Sequence, residues 1–175
     1  MVWEDGSLGS LLPDLVLVGP EEVGAGRIDP ATMTEMRANA RIKLVGYCAA
    51  PAPYFAIADV LCLPSYREGF GSVVLEAAML GVPCVASKIS GLVDAVQDKE
   101  TGLLVPPQDP DQLEQALQKL LENDEFRRSL GRQARERALR DFDQSVVNRN
   151  VLAEYQRIHS QMPPMPRFSS PACAD

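Results

Sequence analysis

Residues 60–86 read VLCLPSYREGFGSVVLEAAMLGVPCVA, which predicts a strand, a helix and a second strand in succession. The apolar run Val60–Leu63 is stopped by Pro64, and Pro83–Ala86 forms a second short apolar run. Between them, Ser72 to Leu80 has the apolar spacing of a helix. Strands this apolar, separated by helices, are typical of a parallel sheet that is covered on both faces.

The same alternation continues on both sides of this stretch. Further strands are predicted at Asp14–Val18, Ile42–Gly46 and Leu103–Val105, and further helices at about Ala31–Ala40, Pro53–Ala58 and Leu92–Val96. The last third is predicted to be helical: one helix begins at Asp109-Pro110-Asp111-Gln112, the next is capped by Asp124, and the last runs from about Gln144 to Ile158. The fold class is therefore α/β, a Rossmann-like three-layer domain with a parallel sheet and C-terminal helices.

Composition limits the classes of function. The chain has 175 residues, 46% of them hydrophobic and 23% charged, as in one globular domain. Its formal net charge of −7 argues against nucleic acid as a partner. No apolar run approaches the roughly 20 residues of a membrane helix, and the N-terminus does not resemble a signal peptide, so a cytoplasmic location is expected.

The cysteines and the single histidine exclude several kinds of site. None of the four cysteines has Cys-x-x-Cys spacing, and they are expected to be free thiols, three of them buried. A His-based triad or a His-rich metal site cannot be built from His159 alone.

The loop from Glu68 to Gly71 follows a predicted strand, where open parallel sheets bind ligands. Gly69 and Gly71 would let a ligand approach the backbone closely. Ser72 is a predicted helix cap, and the unpartnered amides of a helix start suit a phosphate or a sugar oxygen. Glu76, on about the same side as Ser72, could accept two hydrogen bonds from a vicinal diol such as a ribose. Spacing alone also fits a simple tight turn and a solvated Glu76, and the segment is not a P-loop.

Three motifs in order resemble the donor-binding C-terminal domain of retaining GT-B glycosyltransferases, of the family 4 or group 1 type. They are residues 58–77 (ADVLCLPSYREGFGSVVLEA), 81–87 (GVPCVAS) and 101–107 (TGLLVPP). The first contains the two glutamates of this family, with seven residues between them. The resemblance covers about residues 13–158 and implies the C-terminal half of a GT-B fold.

The resemblance implies a role for each matched residue. Glu68 would act at the donor sugar and its reacting centre, and Glu76 would bind the ribose. The remaining implied contacts are the backbone of Gly69, Phe70 and Gly71 with sugar hydroxyls, the amides of Ser72 and Val73 with the diphosphate, and the turn Val45-Gly46-Tyr47 with the base. No metal or other cofactor is implied, and the Asp-x-Asp triplets at 109–111 and 141–143 are better explained as helix starts.

The implied reaction transfers a hexose from a nucleotide diphosphate sugar to a glycan or lipid-linked acceptor with retention of configuration, as in polysaccharide biosynthesis. Residues 1–12 are expected to be a lead, residues 13–159 the nucleotide-sugar-binding domain, and residues 160–175 a disordered tail. The first strand-loop unit of the family and its acceptor-binding N-terminal domain are expected to be missing, so the acceptor site would come from elsewhere and this chain alone would be inactive.

Three alternatives remain open from the sequence. The chain could be a non-catalytic nucleotide-sugar-binding module, a subunit of a split transferase, or a sugar-nucleotide epimerase of the same architecture. The arginine-rich run of residues 127–137 fits either a solvated helical face or a peripheral contact with anionic lipid at the inner face of a membrane.

Overall fold

A computed structural model describes residues 13–20 and 28–162. The strands in these ranges are β1 (Leu15–Val18), β2 (Ile42–Gly46), β3 (Leu61–Leu63), β4 (Cys84–Ser87) and β5 (Gly102–Val105). The helices are α1 (Pro30–Ala38), α2 (Ala52–Ile57), α3 (Ser72–Met79), α4 (Leu92–Ala95), α5 (Pro110–Glu122), α6 (Asp124–Asp141) and α7 (Gln144–Gln161). Each predicted element is present, with its ends shifted by at most a few residues. The predicted lead, residues 1–12, lies outside the described residues.

All the strand pairings are parallel, which confirms the predicted α/β class. The strands form two sheets rather than one, in the orders β1-β2 and β3-β4-β5. Within the described residues no ladder joins the two sheets. The prediction of strands covered on both faces is correct for β4, whose four residues are all buried, and wrong for β1, where Leu15, Val16 and Val18 remain exposed. An apolar run predicts a strand but not which neighbours will cover it.

The core lies on the two faces of β4. Successive side chains of a strand point to opposite faces, and here Cys84 and Ala86 join one cluster while Val85 joins another. The first cluster includes Val74 of α3 with Leu92 and Ala95 of α4, and the second includes Ala116 and Leu120 of α5 with Leu130 of α6. The three layers predicted from the sequence are therefore built around β4 by these helices.

The described cysteines are free thiols as predicted, but of the three that were expected to be buried Cys48 and Cys62 are only half-buried. Cys48, Cys62 and Cys84 are free, and Cys84 is fully buried. Burial raises the pKa of the Cys62 thiol to about 11, and burial raises that of Cys84 further above its ordinary value. Both thiols therefore stay protonated at neutral pH and belong to the packing of β3 and β4. Cys173 lies outside the described residues.

The start of α6 differs from the sequence prediction. The cap of α6 is Asn123, not Asp124: its side chain accepts a hydrogen bond from the Phe126 amide at 2.9 Å. Asp124 is instead the first helical residue, where its carboxylate pairs with Arg127 and Arg128. Asparagine and aspartate both cap helices, and the observed cap lies one residue before the predicted one.

The last helix is longer than predicted, because α7 continues through Ser160 to Gln161. These two residues had been assigned to the tail. The helix ends where Pro163 follows Met162, since a proline disfavours the helical conformation of the residue before it. Residues 163–175 of the predicted tail lie outside the described residues.

The apolar stripe of α7 is exposed. Its members are Val147, Val151, Leu152, Tyr155 and Ile158, and no residue of this helix is buried. The arginines of α6 contact the protein itself: Arg127 and Arg128 bind carboxylates, and Arg137 binds backbone carbonyls. Among the described helices none is long and apolar enough to cross a membrane.

Candidate functional site

The loop between β3 and α3 ends in a left-handed glycine. Gly71 has φ 63° and ψ 48° and is the N-cap residue of α3. Ser72, predicted as the cap, is instead the first helical residue, and the cap has no side-chain hydrogen bond. A Cβ atom at Gly71 would lie 2.5 Å from Cδ2 of Leu92, so this glycine is required by its conformation and by packing.

Gly69 has a different environment. The residue is exposed, and a Cβ atom added to it would meet nothing within 4 Å. The sequence predicts that a ligand can approach the backbone closely at both glycines. The space for this is open at Gly69, whereas at Gly71 the place of a side chain is already filled by Leu92.

The carbonyl groups of Glu68 and Gly69 lie against the start of α4. A Cβ atom at Gly91 would be 2.5 Å from the Glu68 oxygen and 2.6 Å from the Gly69 oxygen. Within the described residues the amides of Gly69 and Phe70 donate no hydrogen bond. The loop thus offers two consecutive donors whose carbonyl neighbours are held in place by packing against Gly91.

The Glu68 carboxylate is held at the base of the same loop. The side chain is half-buried, and the Ser65 hydroxyl donates a hydrogen bond to Oε1 at 3.1 Å. Nearby, Arg67 and Lys88 are exposed and form no ion pair with another described residue.

The exposed face of α3 begins at the loop. Ser72 and Glu76 are exposed, while Val74 and Ala77 are buried, so the two exposed residues lie on one side of the helix as predicted. The side chain of Val73 packs into the core, which leaves only its amide for a ligand. The Val74 amide donates to the Gly71 carbonyl at 2.9 Å, so the amides of Ser72 and Val73 precede the first bond of the helix.

The turn predicted to contact the base lies at the end of β2, in the two-stranded sheet. Gly46 has φ 76°, its carbonyl accepts from the Gly19 amide at 2.9 Å, and Tyr47 is 78% exposed. No hydrogen bond, ion pair or ring contact among the described residues joins Val45, Gly46 or Tyr47 to the loop at Glu68. Their role in binding a base stays a prediction.

The first Asp-x-Asp triplet is a helix start, as expected, whereas the second joins two helices: Asp141 is the last residue of α6 and Asp143 caps α7. Asp109 accepts from the Gln112 amide at the start of α5, and Asp143 accepts from the Ser145 amide at the start of α7. Hydrogen bonds from Ser145 lower the pKa of Asp143, and a hydrogen bond from Arg140 lowers the pKa of Asp141. In the part of the chain that the structure describes, no three His, Cys, Asp or Glu side chains form a group that could hold a metal ion.

Three supporting residues were not found from the sequence. Gly91 contacts the loop from α4, Phe142 packs on Phe70 with ring centroids 5.6 Å apart, and Arg137 covers the Phe142 ring at 4.9 Å. They lie far along the chain from the loop, and no local pattern of residues indicates such contacts.

Several known proteins are similar to this chain in fold and in sequence. Sucrose-phosphate synthase from Thermosynechococcus elongatus superposes with a TM-score of 0.71 at 33% identity, over 85% of this chain and 39% of that chain. Anabaena HepE in complex with UDP has a TM-score of 0.73 at 24% identity, over 83% of this chain and 41% of that one. The D-inositol 3-phosphate glycosyltransferase of Kribbella flavida is 34% identical over 147 residues, which are 81% of this chain and 34% of that protein.

These neighbours identify the fold as that of the GT-B glycosyltransferases. The family model described as glycosyl transferases group 1 matches residues 15–137, and the chain belongs to this family. It spans about a third of the length of the curated relatives it matches, including CapM, a capsular polysaccharide biosynthesis glycosyltransferase of Staphylococcus aureus, which is 27% identical over 133 residues.

Proposed function

We propose that this chain binds the nucleotide sugar donor of a retaining GT-B glycosyltransferase. The whole protein would transfer a hexose from a nucleotide diphosphate sugar to a glycan or lipid-linked acceptor. The observation that carries the proposal is the loop Glu68–Gly71, whose carbonyl oxygens at Glu68 and Gly69 lie against Gly91 and whose amides at Gly69 and Phe70 donate no hydrogen bond within the described residues. Membership of the glycosyl transferases group 1 family supports it.

The proposed chemistry follows from the parts of this site. Breaking the bond between sugar and nucleotide passes through an oxocarbenium-like state, and negative charge develops on the leaving diphosphate. Donors that are already oriented stabilise such charge without reorganising, and the amides of Ser72 and Val73 at the start of α3 are suited to this. Glu68 would contact the sugar at its reacting centre, and Glu76 would accept hydrogen bonds from the ribose hydroxyls.

We propose further that the step needs no metal ion, that the configuration is retained, and that the acceptor is bound by polypeptide other than the residues described here. The exposed apolar stripe of α7 supports the last point, because such a face is stabilised when another surface covers it. The cytoplasmic location and the peripheral membrane contact belong to the same proposal.

Calorimetric titration of the wild-type chain with UDP, GDP and ADP tests nucleotide binding. UDP is the first probe because it is the nucleotide in the HepE structure. One of the three is expected to bind, and Glu76→Ala is expected to weaken that binding by about 1.5–3 kcal/mol, the contribution of hydrogen bonds to a charged group. The same affinities are expected in the presence of EDTA.

Glu125→Ala is the matched control, since Glu125 is another exposed glutamate in the first half of a helix, remote from the loop. It should leave the affinity unchanged. Equal affinities of wild type and Glu76→Ala would contradict the ribose role of Glu76, and failure of the wild-type chain to bind any nucleotide or nucleotide sugar would contradict the proposed function.

A further inference from the structure

We propose that Arg137 is a positioning residue, which stabilises the ligand-binding conformation of the Glu68–Gly71 loop through residues that pack against the loop. It touches neither the loop nor any proposed substrate group, and it acts through α4 and Phe142. This proposal rests on the proposed function for its consequence on binding, but the effect of Arg137 on the loop is measurable without a ligand.

The first connection runs through α4. The guanidinium of Arg137 donates from Nη1 to the Ala95 carbonyl at 2.6 Å and from Nη2 to the Asp94 carbonyl at 2.7 Å. These are two of the carbonyls that a helix leaves unpartnered at its C-terminal end. The planar fork of an arginine fits two adjacent carbonyls in a way that a lysine cannot.

The other end of α4 touches the loop. Gly91 packs on the Glu68 and Gly69 carbonyls, and Leu92, which is fully buried, packs against Gly71. A helix of only four residues does not keep its conformation by its own hydrogen bonds. The position of α4, and therefore the position of the loop backbone packed against it, depends on contacts at both ends of the helix.

The second connection runs through two aromatic rings. Arg137 lies over the Phe142 ring at 4.9 Å from its centroid, and Phe142 contacts Phe70 in the loop with a tilt of 55°. The Arg137 side chain is only 13% exposed, so its contact with the Phe142 ring is largely shielded from water, and a cation over a ring is stronger when it is desolvated. Arg137 therefore reaches the loop along two separate routes, one to its backbone and one to Phe70.

Arg135, two residues before Arg137 in α6, is a matched control. Arg135 also donates from its guanidinium to a backbone carbonyl of another element, that of Met79 at the end of α3, at 3.1 Å. No hydrogen bond, ion pair or ring contact among the described residues joins Arg135 to α4, Phe142 or Phe70. Loss of Arg135 removes a comparable interaction between α6 and the core without touching either route to the loop.

The experiment compares Arg137→Met, Arg137→Lys and Arg135→Met with the wild-type chain. Amide resonances of Gly69, Phe70 and Gly71 are recorded by ¹⁵N NMR without ligand, and UDP affinity is then measured by titration. Arg137→Met should shift the three loop resonances and weaken UDP binding about tenfold, a change typical of one lost hydrogen bond to a charged group. Arg137→Lys, which keeps the charge but not the fork, should give intermediate shifts.

Arg135→Met should lower stability while leaving both readouts at wild-type values. Loop resonances that stay unchanged in Arg137→Met, or that move equally in Arg135→Met, would overturn the positioning role. If Arg137→Met does not fold, Phe142→Leu carries the same test, since it breaks the ring contact with Phe70 at the end of α6. Should the wild-type chain bind no nucleotide, the proposed function fails, and the ligand-free resonances still decide the role of Arg137.

Discussion

Three glycines around the loop have three different environments. Gly69 has open space beside it, Gly71 has a left-handed conformation and packs on Leu92, and Gly91 has φ 89° and packs on two carbonyl oxygens. The sequence treats Gly69 and Gly71 alike, as a tight turn or as positions where a ligand approaches the backbone. The structure separates the one glycine whose exposed backbone is available to a ligand from the two that hold the loop and α4 together.

Gly91→Ala is expected to destabilise the protein more than other substitutions of left-handed glycines. The left-handed conformation alone costs an L-residue about 1–2 kcal/mol. At Gly91 the new methyl group would also lie 2.5 and 2.6 Å from backbone oxygens of the loop, which cannot move as freely as the end of a side chain. The free energy of unfolding, measured by urea denaturation, should therefore fall by more than the conformational cost.

Gly81→Ala is the control for this change. Gly81 has a similar φ of 79°, but its added methyl group would meet only the Gly131 carbonyl oxygen, at 3.9 Å. Gly81→Ala should therefore lower the free energy of unfolding only by the cost of the left-handed conformation. Equal losses in the two variants would mean that the loop carbonyls are not fixed against Gly91.

Helix starts are the elements that the sequence describes most directly. Asp109, Asn123 and Asp143 each accept a hydrogen bond from an amide in the first turn of α5, α6 or α7. A cap is a local interaction that spans two or three residues, which is why the sequence predicts the caps of α5 and α7, although it places those of α3 and α6 one residue too late. The same local rule explains Asp109 and Asp143 of the two Asp-x-Asp triplets.

Asp109→Ala is expected to lower the free energy of unfolding by about 1 kcal/mol, the usual cost of removing a cap. The bond lost is the one from the Gln112 amide to Oδ1 of Asp109, at 3.0 Å. Asp111→Ala serves as the comparison, because Asp111 lies in the first turn of the same helix and forms no cap bond. It should cost only a few tenths of a kcal/mol through the helix dipole. A larger loss for Asp111→Ala than for Asp109→Ala would show that the cap is not formed in solution.

At the scale of the whole molecule, burial is uneven between the two sheets. The strand β4 is buried on both faces by α3, α4, α5 and α6, whereas Leu15, Val16 and Val18 of β1 and Leu44 of β2 are each more than a third exposed. Both sheets have parallel hydrogen-bonded ladders. The two sheets therefore differ in how much apolar surface each removes from water. Burial of apolar surface is the main favourable contribution to the free energy of folding.

Native-state hydrogen exchange should follow this division. Amides of β4 and β5 are expected to exchange only by global unfolding, with an opening free energy equal to that measured by denaturation. Amides of β1 and β2 should open with a smaller free energy, although their hydrogen bonds are of the same kind. Equal protection of the two sheets would mean that they unfold as one cooperative unit, contrary to the burial pattern.

The sequence alone determined the order of strands and helices, the caps of α5 and α7, and the exposed position of Glu76 beside Ser72. Apolar spacing and capping act over a few residues, so they can be recognised without the tertiary structure. The resemblance of three motifs also identified the family. Only the tertiary structure decided that the strands form two sheets, that the Glu68 and Gly69 carbonyls pack against Gly91, and that Phe142 lies between Arg137 and Phe70. These features depend on contacts between segments far apart in the chain, and such contacts are selected by packing rather than by any local pattern.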